Sequence, residues 1–234
     1  MNLLTNLNSN FKILLSALTL SAVMLSCTKD QDYVPAPDVS GLNVIQASPT
    51  AEKLDFLVDN TVATKSDFTF TNKIGYLNVL SGTRKVTVSK KGTTVPIFSS
   101  SFTFKPQTAY SLFIVGKQDT AKFLILKDSA SLPPSGKANI RFVHLSPDAE
   151  GLSLNILGKT ENLFPAKLYR QYTTFVTVDA GDKVSFNIKD AAGNIVSTLV
   201  DAKIEQGKSY TIWVKGLKAA TDDTKLGVAI FTHN

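Results

Sequence analysis

A short run, Ser48-Pro49-Thr50-Ala51-Glu52, returns 98 residues later as Ser146-Pro147-Asp148-Ala149-Glu150, each time directly after an apolar stretch. A second pair of landmarks, Tyr110 to Gly116 and Tyr210 to Gly216, recurs at a spacing of 100. Two anchors at nearly one offset set both the period and the size of the unit, so the chain is expected to build one fold twice. Inside each copy, apolar and polar residues alternate. Val184, Phe186 and Ile188 fall on one side of the run from Lys183 to Lys189, and Val86 and Val88 do the same in the first copy. A period of two predicts strands with one buried face. Turn formers punctuate the runs at Ser81-Gly82, Lys91-Gly92, Asp179-Ala180-Gly181-Asp182, Ala192-Gly193-Asn194 and Gln206-Gly207. No stretch beyond Cys27 keeps an apolar stripe of helical period for three turns. The expected fold is all-β, with two tandem antiparallel β-sandwich domains of immunoglobulin-like or transthyretin-like build. They occupy residues 41–128 and 137–234, and a Pro-containing linker at 129–136 joins them. With 43% apolar residues in 234, each copy can fill a core of its own.

The segment before the repeats reads differently. Residues 1–26 carry one positive charge, Lys12, followed by an apolar stretch from Ile13 to Leu25. Thirteen helical residues reach roughly 20 Å at about 1.5 Å each, short of a hydrocarbon core of roughly 30 Å, so a cleaved signal peptide is expected. The stretch ends in Met24-Leu25-Ser26-Cys27, which resembles the lipobox of bacterial lipoproteins. The resemblance implies cleavage before Cys27, lipid on its thiol and on the new amino group, and a membrane partner held through those chains. Cys27 is the sole cysteine, which excludes an intrachain disulfide and a thiolate metal cluster. Residues 27–40 are polar, with Pro35 and Pro37, and are expected to form a lipid-anchored tether. Thr28-Lys29-Asp30-Gln31-Asp32 is similar to the lysine-plus-acids signal that sends lipoproteins of Bacteroidota to the outer face of the outer membrane. The cell surface is the expected location, and the periplasmic face is the alternative.

In the second copy the run from Ala138 through Arg141, His144, Ser146, Pro147 and Asp148 to Ala149 is followed by the turn Ala180-Gly181 and the strand from Gly207 to Gly216. Together these resemble the bacterial domain of unknown function 4397 family, over about residues 137–234. Residues 41–128 read as a diverged copy, with Gln46 where His144 aligns and Thr50 where Asp148 does. The resemblance implies an exported β-sandwich, often repeated and lipid-anchored, and it brings no activity.

Chemistry is sparse. Arg141, His144, Ser146, Asp148 and Glu150 form the most enzyme-like group, but strand parity puts His144 with Ile140 and Phe142, opposite Arg141. His144, Ser146, Pro147 and Asp148 are expected to pin the turn after that strand. There is no G-x-S-x-G for a nucleophile elbow, and the only other histidine is the penultimate residue, His233. The acidic pairs Asp179/Asp182 and Asp222/Asp223 do not follow a calcium loop. No catalytic residue, metal or cofactor is therefore expected. Parity leaves Trp213 on the outer face of its strand with Thr211 and Lys215, and Phe113 in the matching place of the first copy. With Tyr169, Arg170 and Tyr172 they are candidate ligand-binding residues, able to stack on a sugar ring or anchor a protein. The competing expectation is that Trp213 and Phe113 pack under a loop, against each other across the domain interface, or in the second layer of the sandwich. The net charge of +6 comes from scattered lysines without a basic run, so no nucleic-acid partner is expected. The expected function is a non-enzymatic binding or adhesion module for a glycan or envelope protein. The alternative is a structural spacer or assembly subunit without a ligand of its own.

Overall fold

The computed structural model describes residues 37–117 and 120–233. The expected signal peptide at 1–26, Cys27 and the expected tether through residue 36 lie outside the described residues. The first copy contains β1 (Val39–Gln46), β2 (Leu54–Val58), β3 (Thr61–Val62), β4 (Lys73–Leu80), β5 (Gly82–Lys90), β6 (Pro96–Phe104), β7 (Ala109–Val115) and β8 (Lys122–Lys127). The second contains β9 (Lys137–His144), β10 (Leu152–Ile156), β11 (Asn162–Lys167), β12 (Val176–Asp179), β13 (Gly181–Lys189), β14 (Ile195–Ile204), β15 (Ser209–Lys215) and β16 (Gly227–His233). Each copy is a two-sheet sandwich. Sheet β4-β1-β7-β8 faces β3-β2-β5-β6, and sheet β12-β9-β15-β16 faces β11-β10-β13-β14.

The duplication extends to the register of pairing. Leu42 lies opposite Tyr110 in the first copy and Ile140 opposite Tyr210 in the second, at the offsets that the sequence landmarks define. In both copies this pair of strands runs parallel, whereas every other strand pair is antiparallel. A parallel pair cannot be closed by a hairpin, and here the rest of the sandwich serves as the connection between β1 and β7. The alternating residues fill the expected cores. Val86, Val88, Phe56, Phe104 and Leu112 are buried in the first, and Phe186, Ile188, Phe142, Leu154 and Ile212 in the second.

A third core lies between the sandwiches, where strand alternation predicted a wet face. The outward residues Ile45, Ala47, Phe113, Val115 and Leu126 meet Val143, Leu145, Trp213 and Phe231. The two copies thus stack four sheets, with the two sheets that hold the parallel pairs packed back to back. Equivalent positions of the two copies touch. Phe113 and Trp213 are 6.2 Å apart, ring to ring, in an edge-on arrangement.

One end of this face is polar and closed. Arg141, 2% exposed, gives Nη2 to Asp128 Oδ1 at 2.8 Å, Nη1 to the Lys127 carbonyl at 3.2 Å and Nε to Thr211 Oγ1 at 3.1 Å. Tyr76 and Ser111 donate to Asp128 Oδ2 at 2.7 and 2.8 Å. Because Tyr76 has spent its proton on Asp128, its oxygen accepts from Nδ1 of His233 at 2.8 Å, while Thr211 Oγ1 meets Nε2 at 2.7 Å. The Phe175 ring covers the Arg141 guanidinium at 4.8 Å. Here too the positions are matched by the repeat. Asp128 and His233 end or follow the last strand of each copy, and Ser111 and Thr211 occupy one place on β7 and β15. Burial alone would raise the Asp128 carboxyl, but the His233 ring 3.6 Å away, the Arg141 charge and the Tyr76 hydroxyl outweigh that and hold it below the ordinary carboxylate value.

Two outcomes follow from this face. Trp213→Ala removes the largest buried side chain of the third core and is expected to cost about 3–5 kcal/mol in chemical denaturation. Asp128→Asn strands a buried guanidinium and is expected to cost about 3–5 kcal/mol at neutral pH. Since the Asp128 carboxyl is depressed in the fold, its contribution is complete above the unfolded value of about 3.9 and is lost as pH falls below that. Denaturation midpoints measured from pH 6 downward should therefore fall less steeply in acid for Asp128→Asn than for wild type.

Candidate functional site

The turn motif holds itself. His144 is fully buried, its Nδ1 accepts from the Ser146 amide at 3.3 Å, and its Nε2 bonds the Glu150 carbonyl at 2.9 Å. Since Nδ1 accepts, Nε2 carries the hydrogen, and burial pushes the ring toward the neutral form by lowering its pKa. Ser146 donates to Asp148 Oδ1 at 3.3 Å, and the same carboxylate accepts from the Lys218 and Ala219 amides at 2.8 and 3.1 Å. Burial opposes the Asp148 charge, but those amides prevail and lower its pKa. In the first copy Gln46 Oε1 accepts from the Ser48 amide at 2.7 Å, as the imidazole does in the second. Ser48 donates to the Gly116 carbonyl at 2.5 Å. His144, Ser146, Pro147 and Asp148 therefore close a turn onto the loop after β15, and both ring nitrogens of His144 are already engaged.

Trp213 and Phe113 are not ligand contacts. They are 2% and 0% exposed because the outer faces of their sheets cover each other, so the reading of these two as exposed stacking residues is corrected. Arg141, on that same outer parity, is sealed in with them. Tyr169, Arg170 and Tyr172 do share one surface, the loop between β11 and β12. Arg170 adopts a left-handed φ of 68° and donates its amide to the His144 carbonyl at 2.7 Å. The Tyr169 hydroxyl and Arg170 Nε are buried without a partner among the described residues, and Tyr172 is half exposed beside an exposed Leu168.

A wide concavity lies elsewhere. A cleft of about 930 Å³ opens where the Ser48–Glu52 turn, the loop after β7 and the loop between β15 and β16 approach. Leu54, Val88 and Ile114 form its floor, and Glu52, Lys53, Lys117 and Asp222 stand on its rim. Lys90, also on the rim, pairs with Glu52 at 3.0 Å. The second copy has a matching, smaller hollow of about 560 Å³ above Leu152, with Glu150, Asp190 and Lys218 around it. Gly116 supports the first cleft. It sits at φ 90°, and a Cβ there would lie 2.5 Å from the Thr120 carbonyl oxygen, so only glycine allows the loop to fold back. Among the described residues no three His, Cys, Asp or Glu side chains gather as metal ligands. Asp179 is paired with Lys137 at 2.6 Å, and Asp222 Oδ1 accepts from the Thr224 amide at 2.9 Å.

Sequence reasoning missed the Asp128–Arg141–His233–Tyr76 network and the cleft. A signal for the network was present. An outward hydroxyl recurs at Ser111 and Thr211, the shared place on β7 and β15 from which both residues join the network. The cleft had none, since its rim comes from segments up to 170 residues apart.

A family model described as a domain of unknown function, DUF4397, matches residues 40–155. The match takes in the whole first copy and the opening motif of the second. No curated protein matches the sequence. Among solved structures, a family 26 carbohydrate-binding module from Eubacterium rectale, in complex with maltoheptaose, aligns at 12% identity. It spans 83% of this chain and 97% of its own, with a TM-score of 0.28. An α-glucan-binding streptococcal virulence factor aligns at 13% identity over 80% and 96%, with a TM-score of 0.24. A provisionally named cell adhesion protein from Bacteroides eggerthii aligns at 10% identity over 86% and 97%, with a TM-score of 0.28. At scores this low none of these likenesses carries over to the site of this chain.

The Gln46 and His144 geometries make one exchange informative. His144→Gln keeps the acceptor for the Ser146 amide and is expected to cost under about 1.5 kcal/mol, whereas His144→Ala leaves buried backbone groups unpaired and costs about 2 kcal/mol or more. The wild-type imidazole is depressed in the fold, so its contribution is full above the unfolded value of about 6.5 and declines below it. His144→Gln should remove that decline between pH 6.5 and 5, as read from thermal melts.

Proposed function

The chain carries a DUF4397 module, and on that premise we propose that it is a non-enzymatic binding module of the cell envelope for a glycan or protein partner. The observation that carries this reading is the large cleft of the first copy. It combines an apolar floor with both signs of charge and is framed by loops of both copies. Clefts of this size, with few convergent polar groups, are where ligands bind. The loop with Tyr169, Arg170 and Tyr172 is a second contact surface. In this reading lipid on Cys27 anchors the chain, and the segment after it directs the protein to the cell surface.

A second reading has its own support. The back-to-back sheets make a stiff body, which suits a structural spacer without a ligand. Rim substitutions separate the two. Lys117→Glu and Glu52→Lys alter exposed side chains, so a binding module loses at least ten-fold in affinity for a hit from a glycan array or an envelope pull-down while its melting temperature stays unchanged. A spacer gives no hit that these variants weaken. For location, an epitope after Asn234 should be lost when intact cells are shaved with protease. Protection until the outer membrane is opened would move the protein to the periplasmic side.

A further inference from the structure

We infer that β6 is an association edge along which two copies of this chain pair antiparallel about Ser100. β6 is the outermost strand of its sheet, and its nine residues include no ionisable side chain and no proline after the first position. An edge of that length presents a row of backbone donors and acceptors, and folded proteins normally blunt such edges with charge, proline or a bulge. The other long edges here are blunted. β4 begins in lysine and bulges between Lys73 and Tyr76, β8 begins and ends in lysine, β11 contains Pro165, and β14 is kinked at Asp201, which has a φ of 50°. β16 lies against β14. In β6 the proline and the one bulge are confined to its first two residues, Pro96 and Ile97, and the run from Phe98 to Phe104 has none of these devices. Its Ser99, Ser100 and Ser101 are exposed, Ile97 is 42% exposed, and the preceding Val95 is 73% exposed.

The occupant follows from the strand's own sequence. Phe98-Ser99-Ser100-Ser101-Phe102 reads the same in both directions. Antiparallel pairing about Ser100 sets Phe98 opposite Phe102 of the second copy and Ser99 opposite Ser101, with no like charges across the pair. Cross-strand hydroxyl and aromatic pairs are favourable, and such an interface closes as a two-fold dimer instead of growing into a filament. Phe98 and Phe102 already turn inward onto Phe123, at ring distances of 4.5 and 5.9 Å, so an added strand extends an ordered aromatic row. Ile97 and Phe98 also line the large cleft, so the dimer would hold two clefts on one body.

Cysteine trapping in cells that express the full chain tests this. Directly opposed residues of an antiparallel pair lie about 4.5–5.5 Å apart at Cα, within disulfide reach. Ser100→Cys is therefore expected to give a reducible dimer under mild oxidation, several-fold above the wild-type chain, whose one cysteine is Cys27, and above Thr94→Cys, which lies off the axis. Adding Ser101→Lys, or separately Ser99→Lys, should cut that band at least five-fold with an unchanged melting temperature, and should halve the sedimenting mass of the otherwise native chain. A Ser100→Cys band no stronger than the controls, a native chain that sediments as a monomer, or a cross-link to a different polypeptide would each overturn the inference.

Discussion

Each repeat turns one sheet toward the other, and the burial of those two outer faces decides what the remaining surface can be. A β-sandwich needs only its inner faces covered. In this chain Ile45, Phe113, Trp213 and Phe231 make the outer face of one sheet in each copy apolar as well, and exposing two such faces would leave a hydrophobic patch larger than a soluble domain usually tolerates. Packing them together removes the patch and creates a third core. The same step takes Arg141 and Asp128 out of water, which is costly, and their pairing offsets that cost without any guarantee of a net gain. Such a pair is better suited to selecting one alignment of the faces, because any slip leaves a buried charge alone.

The interface also shows how a duplicated unit can become complementary to itself. The two members of each matched position differ in kind. Asp128 is an acceptor where His233 offers a ring nitrogen, and Tyr76 brings a hydroxyl where Phe175 brings a bare ring over the guanidinium. Two identical copies would place like beside like at these points. Divergence here thus has a physical reading, since it supplies donors for acceptors across the axis.

Fixing the sandwiches to each other also fixes their loops. The Ser48–Glu52 turn and the loop between β15 and β16 belong to different copies, yet they frame one cleft. Its shape is therefore inherited from the third core and not from either sandwich alone. The turn motif built on His144 or Gln46 contributes indirectly, because it sets the path of the chain as it leaves the first strand of each copy.

The sequence by itself determined the repeat, the all-β class, the alternation that fills the two inner cores and the role of Ser146-Pro147-Asp148 as turn chemistry, because each rests on residues near one another in the chain. Parity even told correctly that Trp213, Thr211 and Arg141 lie away from the inner core. It could not tell whether that outer side met water or protein, since a period of two distinguishes the faces of a strand and says nothing of what covers them. Only the tertiary structure decided that Trp213 and Phe113 pack together, that Arg141 finds Asp128 across the linker, that His233 joins them, and that a cleft forms between loops far apart in sequence. All four depend on how two finished sheets dock, and docking is set by the summed shape and charge of whole faces.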